Sequence, residues 1–168
     1  MEKEGKILTR KLGKTTLISL NFTNYSSLLN SIIELEYYKT TKIIAEYPFF
    51  KEIQSQLLEF FNNEFYSICC NYTRSNLRRN RIELTIITYQ TISKTHKDDI
   101  FAWISNIAIS KNIRIDYFII TINKFKEYLQ TEDFNYVKEI LYNRICLIQS
   151  YNFWNTILPI LSKIEDIN

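Results

Sequence analysis

The chain has 168 residues and a mass of 20.2 kDa, with 46% hydrophobic, 23% charged and 15% aromatic residues. That is one domain's worth of material, enough to order a single core, and it excludes both a disordered polypeptide and a two-domain protein. The formal charge of +3 sits in residues 1–14, where Lys3, Lys6, Arg10, Lys11 and Lys14 outweigh Glu2 and Glu4. The body is neutral and lacks the basic stripe that a phosphate backbone requires, so no nucleic-acid partner is expected.

Residues 1–22 read as a basic amino-terminal tail and residues 23–168 as a single domain. Within the tail, Thr15-Thr16-Leu17-Ile18-Ser19-Leu20 reads as a short extended piece. Helical spacing begins after the small polar residues Asn24 to Ser27 and carries Leu28, Leu29, Ile32, Ile33 and Tyr37. Pro48 suits the first position of a second helix, which continues through Phe49, Phe50, Ile53, Leu57, Leu58, Phe60, Phe61, Phe65, Ile68 and Cys69. A third helix is predicted from Ser75 to Ile92. A fourth opens on Asp98 and Asp99, runs through Ile100, Phe101, Trp103, Ile104, Ile107 and Ala108, and stops near Asn112. The fifth carries Ile115, Phe118, Ile119, Ile122, Phe125 and Leu129. The sixth, capped near Thr131, carries Val137, Ile140, Leu141, Arg144, Ile145 and Ile148, and Pro159 should kink or end it. With strand signals nearly absent, the expected class is all-α.

The two glycines are Gly5 and Gly13. A Rossmann fingerprint, a nucleophile elbow and the usual two-residue hairpin turns therefore cannot be written downstream of Gly13. Gly13-Lys14-Thr15 has the end of a phosphate-binding loop, but that motif needs a glycine where this chain has Leu8. His96 is the sole histidine. That excludes a His-based metal triad, and its place between predicted helices reads as a solvated loop imidazole. Asp98 and Asp99 serve a helix start better than acid–base chemistry. Cys69 and Cys70 point about 100° apart on a helix and neither chelate nor bridge. The pattern indicates no enzyme. The three cysteines, Cys69, Cys70 and Cys146, suit free thiols in a reducing cytoplasm. No secretory signal is expected, and the apolar runs fall far short of the roughly 18 to 20 residues of a membrane span.

On the predicted third helix, Arg74, Arg78 and Arg81 fall within an arc of about 60°, with Thr85, Tyr89 and Ile92 continuing that face. Such a stripe reads either as a head-group anchor for a carboxylate or phosphate, or as a solvated basic face.

The passage from Asp98 to Leu129, with Ile100-Phe101-Ala102-Trp103-Ile104 and then Asn112-Ile113-Arg114-Ile115-Asp116 leading into Phe118 to Phe125, resembles the F-to-G helix passage of haem-less globin sensor domains. Such domains occur in stressosome regulators, in sporulation sensor kinases and as stand-alone sporulation inhibitors. The resemblance spans about Pro48 to Asp166. It implies a globin-like bundle of about six helices, with Ile107 near the place of a proximal histidine and hence no haem cofactor. It further implies an apolar tunnel for a fatty acid or similar ligand, lined by Phe61, Phe65, Ile104, Ile107, Phe118 and Ile122. Burying a chain of about fourteen carbons yields on the order of 10 kcal/mol before association costs.

The implied function is non-catalytic: the protein would sequester a signal from a related sensor histidine kinase and so inhibit sporulation. The resemblance also implies a homodimer through the last helices, and Tyr151, Phe153, Trp154 and Ile157 read as its interface. The alternative is a viral Bcl-2-like helical protein that binds partner helices, although the Asn-Trp-Gly-Arg signature is missing around Trp103.

Overall fold

A computed structural model of the chain describes residues 7–12, 15–21, 24–60, 64–73, 77, 79–131, 133, 135–141 and 144–165. Strands β1 (Ile7–Leu12) and β2 (Thr15–Leu20) pair antiparallel as a separate two-stranded sheet. Helices α1 (Tyr25–Glu46) and α2 (Phe49–Phe60) follow, then β3 (Phe65–Asn71) and β4 (Arg81–Thr88). The remainder is α3 (Lys94–Lys111), β5 (Arg114–Thr121), α4 (Ile122–Gln130), α5 (Tyr136–Ile140), β6 (Arg144–Ile148) and α6 (Ser150–Glu165).

The expected all-α, globin-like bundle is therefore corrected to a mixed α/β fold built on a four-stranded sheet. Its strand order is β5-β4-β3-β6, with β4 and β5 parallel and the other neighbours antiparallel. The parallel pair needs a crossover, and α3 supplies it.

Helices cover both faces of this sheet, which explains the misreading. On one face, Phe50, Ile53 and Leu57 of α2 and Ile100, Ile104 and Ile107 of α3 pack against Ile68, Ile82, Leu84, Ile86 and Ile145. On the other, Phe125 and Leu129 of α4, Val137 and Ile140 of α5, and Phe153 and Ile157 of α6 pack against Cys69, Ile87, Ile120 and Cys146. A strand buried on both faces loses its period-two alternation and becomes a continuous apolar run. All five residues of β6 are buried, and helical spacing can be traced through such a run by chance.

The predicted helix over residues 75–92 is β4 for its central part, the predicted fifth helix divides into β5 and α4, and the predicted sixth into α5, β6 and α6. The predicted second helix ends at Phe60, and its later members Phe65, Ile68 and Cys69 belong to β3. Helix α3 does stop at Asn112, whose left-handed backbone (φ 51°) ends it. It starts ahead of Asp98, where the Ser93 side chain accepts the His96 N–H at 3.2 Å as N-cap.

Strand β6 lies at a sheet edge, and α1 runs along it. The α1 amino-terminal half packs Leu28 and Leu29 on Leu158 of α6. Farther on, Glu36 and Lys39 reach the backbone of β6: the Cys146 N–H donates to Glu36 Oε1 at 2.8 Å, and Lys39 Nζ donates to the Arg144 carbonyl. Gln54 of α2 donates to the Leu147 carbonyl at 2.7 Å. Side chains thus occupy backbone groups that would otherwise template another strand.

Candidate functional site

The segments that hold β6 also form the walls of a groove of about 560 Å3. Ile33, Thr40 and Ile44 come from α1, Lys51 and Gln54 from α2, and Leu147 from β6. Such a volume falls in the ordinary range of small-molecule sites. Thr40 is buried, and its hydroxyl has no hydrogen-bond partner among the described residues. The wall is mixed, with Ile33, Ile44 and Leu147 beside Glu36, Thr41 and Gln149, and an unsatisfied buried hydroxyl is costly until something accepts from it.

Behind the groove lies a charged cluster. Arg144 Nη2 stands 3.7 Å from Glu36 Oε2, and its guanidinium is stacked on the rings of Phe153 (4.8 Å) and Trp154 (4.3 Å). Trp154 Nε1 donates to Glu36 Oε2 at 3.3 Å, and Arg144 Nη1 to the Leu141 carbonyl at 2.6 Å. Burial pushes the Lys39 ammonium below its ordinary value, with Glu36 opposing that shift and Arg144 adding to it.

A second cleft, of about 500 Å3, opens at the carboxyl end of β4 and is lined by Glu64, Tyr89, Gln90, Ser93 and His96 among others. There His96 Nδ1 meets Glu64 Oε2 at 3.1 Å. The histidine expected in a solvated loop is thus in the first turn of α3 and paired. A carboxylate-oriented imidazole is half of a nucleophile-activating arrangement, but Ser93 is engaged with the α3 backbone as its cap. Among the described residues no group of three His, Cys, Asp or Glu side chains is disposed to hold a metal ion.

The residues expected to line an apolar tunnel are dispersed. Phe65, Ile104 and Ile107 are in the core on one face of the sheet, whereas Ile122 is in the core on the other. Phe118 is 38% exposed on β5 and packs edge-on against Tyr136. Phe61 lies outside the described residues, as do Arg74 and Arg78. Arg81 is on a strand instead of a helix, and two carboxylates engage it, Asp116 at 2.8 Å and Glu83 at 3.1 Å. Of the four expected interface residues on α6, Phe153 and Ile157 are interior, Trp154 is half-buried in the Arg144 stack, and Tyr151 is exposed. Sequence reasoning missed Glu36, Lys39, Thr40 and Gln54. The available signal was a Glu at the buried stripe of α1, in register with Leu29 and Ile32 and Thr40 at helical spacing.

Comparison with protein-family models, with curated proteins and with solved structures brings no match to this chain.

Proposed function

We propose that the protein is a non-catalytic module that binds a small amphipathic ligand, a fatty acid or a molecule like it, in the groove between α1, α2 and β6. The observation that carries this reading is the buried hydroxyl of Thr40 in the wall of that groove, which has no hydrogen-bond partner among the described residues. Ile33, Ile44 and Leu147 offer the aliphatic surface for a tail, while Thr40, Gln54 and Lys51 offer donors for a carboxylate head. The cytoplasm is the proposed location, since three buried free thiols suit a reducing compartment.

Inhibition of sporulation by withdrawing a signal from a sensor kinase drew on the likeness to all-helical globin domains, and the mixed sheet removes that support. The Bcl-2-like alternative loses its helical bundle for the same reason. Ligand binding itself remains as the proposal.

Displacement of a fluorescent fatty-acid probe by a saturated fatty acid of about fourteen carbons tests it, with micromolar affinity expected. Thr40→Val keeps the shape and removes the hydroxyl, so affinity should fall about two- to tenfold. Ile44→Trp, which fills the groove, should abolish binding. Probe binding that neither saturates nor responds to these two variants overturns the reading.

A further inference from the structure

We propose that Cys69 and Cys146 are a redox modification site, a thiol pair that a peroxide converts into a reversible disulfide stapling the edge strand β6 to β3. The two residues are register partners across antiparallel strands, and their Sγ atoms are 3.5 Å apart. Both are free thiols.

The backbone identifies the kind of pair they form. The Cys146 N–H donates to Glu36 on α1, so it points away from β3, and Cys69 and Cys146 face each other as a non-hydrogen-bonded pair. Such pairs have the closest side chains of an antiparallel ladder, with Cα atoms about 4.5 Å apart. That separation lies inside the range a disulfide spans. Contraction to a bond length of about 2.05 Å then asks for small side-chain rotations with the backbone in place.

The third cysteine does not compete. Cys70 packs in the core on the opposite face of the sheet from Cys69 and Cys146, and its register partner on β6 is Ile145. Access also differs between the pair. Cys146 lines the groove and is 5% exposed, while Cys69 is wholly buried. Cys146 is therefore the sulfur an oxidant meets first, and Cys69 the one that resolves.

The chemistry balances with one peroxide. The Cys146 thiol gives up its proton, its sulfur attacks a peroxide oxygen, the O–O bond breaks, and Cys146 becomes a sulfenic acid as the departing hydroxide takes that proton and leaves as water. Cys69 sulfur then attacks Cys146 sulfur, the S–O bond breaks, and the departing hydroxide takes the Cys69 proton as a second water. Two thiols are oxidised to one disulfide, and hydrogen peroxide is reduced to two waters. Burial pushes the Cys146 thiol well above its ordinary value; neighbouring Cys69 and Glu36 push the same way and Arg144 pulls against them. The thiolate is scarce at neutral pH, so the site resists weak oxidants.

The test treats the reduced full-length chain with hydrogen peroxide, then counts thiols after denaturation and maps the digest by mass spectrometry without reductant. The thiol count should fall from three to one, with the Cys69 and Cys146 peptides linked and dithiothreitol restoring all three. Cys70→Ser should form the same link and retain no free thiol. Cys69→Ser should form no intramolecular link and carry a sulfenic acid on Cys146 that a dimedone-type reagent traps. A count that stays at three, a link through Cys70 or between molecules, or direct passage of Cys146 to sulfinic acid in the chain with all its cysteines overturns the proposal. The Cys70→Ser map alone suffices should Cys69→Ser fail to fold.

Discussion

Glu36 of α1 and Arg144 of β6 approach to 3.7 Å in the interior, where their side chains are 5% and 3% exposed. One carboxylate thereby ties three elements together, since it also accepts the Cys146 N–H of the edge strand and the Trp154 indole N–H of α6. A buried ion pair recovers little more than the cost of desolvating it, so its main effect is to fix which residue of α1 faces β6.

Removing one partner is a different matter, because the other is left charged and dry. Glu36→Ala should cost about 3–5 kcal/mol in urea denaturation. The double variant Glu36→Leu with Arg144→Met should recover part of that loss, giving a coupling of at least about 1 kcal/mol. A cost below about 1 kcal/mol for Glu36→Ala would mean that the pair behaves like a surface contact.

Stability should fall at alkaline pH. Burial holds the thiols of Cys70 and Cys146 and the phenols of Tyr72 and Tyr136 in their protonated forms, each above its ordinary value. The folded chain therefore binds these protons more tightly than the unfolded one. Their contribution is whole below about pH 8.5 and is lost as pH rises through the unfolded and toward the folded values. Lys39 runs the other way: its lowered value means that the folded chain sheds the proton first, so rising pH relieves a penalty. One lysine does not offset the thiols and phenols together, and each group is worth at most about 1.4 kcal/mol per pH unit. The urea midpoint should drop between about pH 7 and pH 10, and the drop should be smaller in Cys70→Ala.

On α6, neighbouring residues should respond very differently. Phe153→Ala removes a fully buried ring and should cost about 3–5 kcal/mol, whereas Tyr151→Glu, on an exposed side chain, should stay within about 0.5 kcal/mol. Tyr151→Glu is for that reason the informative variant for a homodimer through α6. If such a dimer forms, sedimentation should show a folded monomer for this variant. Trp154→Glu, by contrast, would strip the Arg144 guanidinium of a stacking partner.

Arg81→Ala should be mild. Its partners Asp116 and Glu83 are part-exposed, and pairs of that kind contribute less than about 1 kcal/mol. The β4–β5 side of the sheet that it occupies is away from β6, so fatty-acid affinity should be unchanged. A loss of affinity in titration would instead make Arg81 a head-group anchor.

The scarcity of glycine leaves a correctable strain. Asn80, Asn112 and Gln149 hold left-handed backbone, with φ of 51°, 51° and 56°. Asparagine tolerates that region better than glutamine does. Gln149→Gly should therefore raise stability by about 0.5 kcal/mol, the relief of strain exceeding the entropy that glycine costs. Thermal unfolding checks the sign.

Local chemistry alone settled several features. Pro48 ahead of α2, the small polar residues ahead of α1, the left-handed asparagine after α3 and the extended character of Thr15–Leu20 depend on residues close in sequence, and each is legible there. The β-branched residues Ile82, Thr85, Ile86, Ile87 and Thr88, and again Ile115, Ile119, Ile120 and Thr121, favour strands, but the helical spacing traced through them outweighed that preference in the all-α expectation. What the sequence could not declare is that helices cover both faces of the strands inside the sheet, β3 and β4, because that burial removes the alternation by which a strand is recognised. Nor could it bring Glu36 to Arg144, or Cys69 to Cys146: hydrogen bonds and register spanning most of the chain exist only once α1 lies along the edge of a sheet whose last strand is made near the carboxyl end. The sequence by itself marked the starts of α1 and α2 and the end of α3, and tertiary packing decided which apolar runs became strands, since a strand's hydrogen bonds are made to distant residues and a helix's to its own.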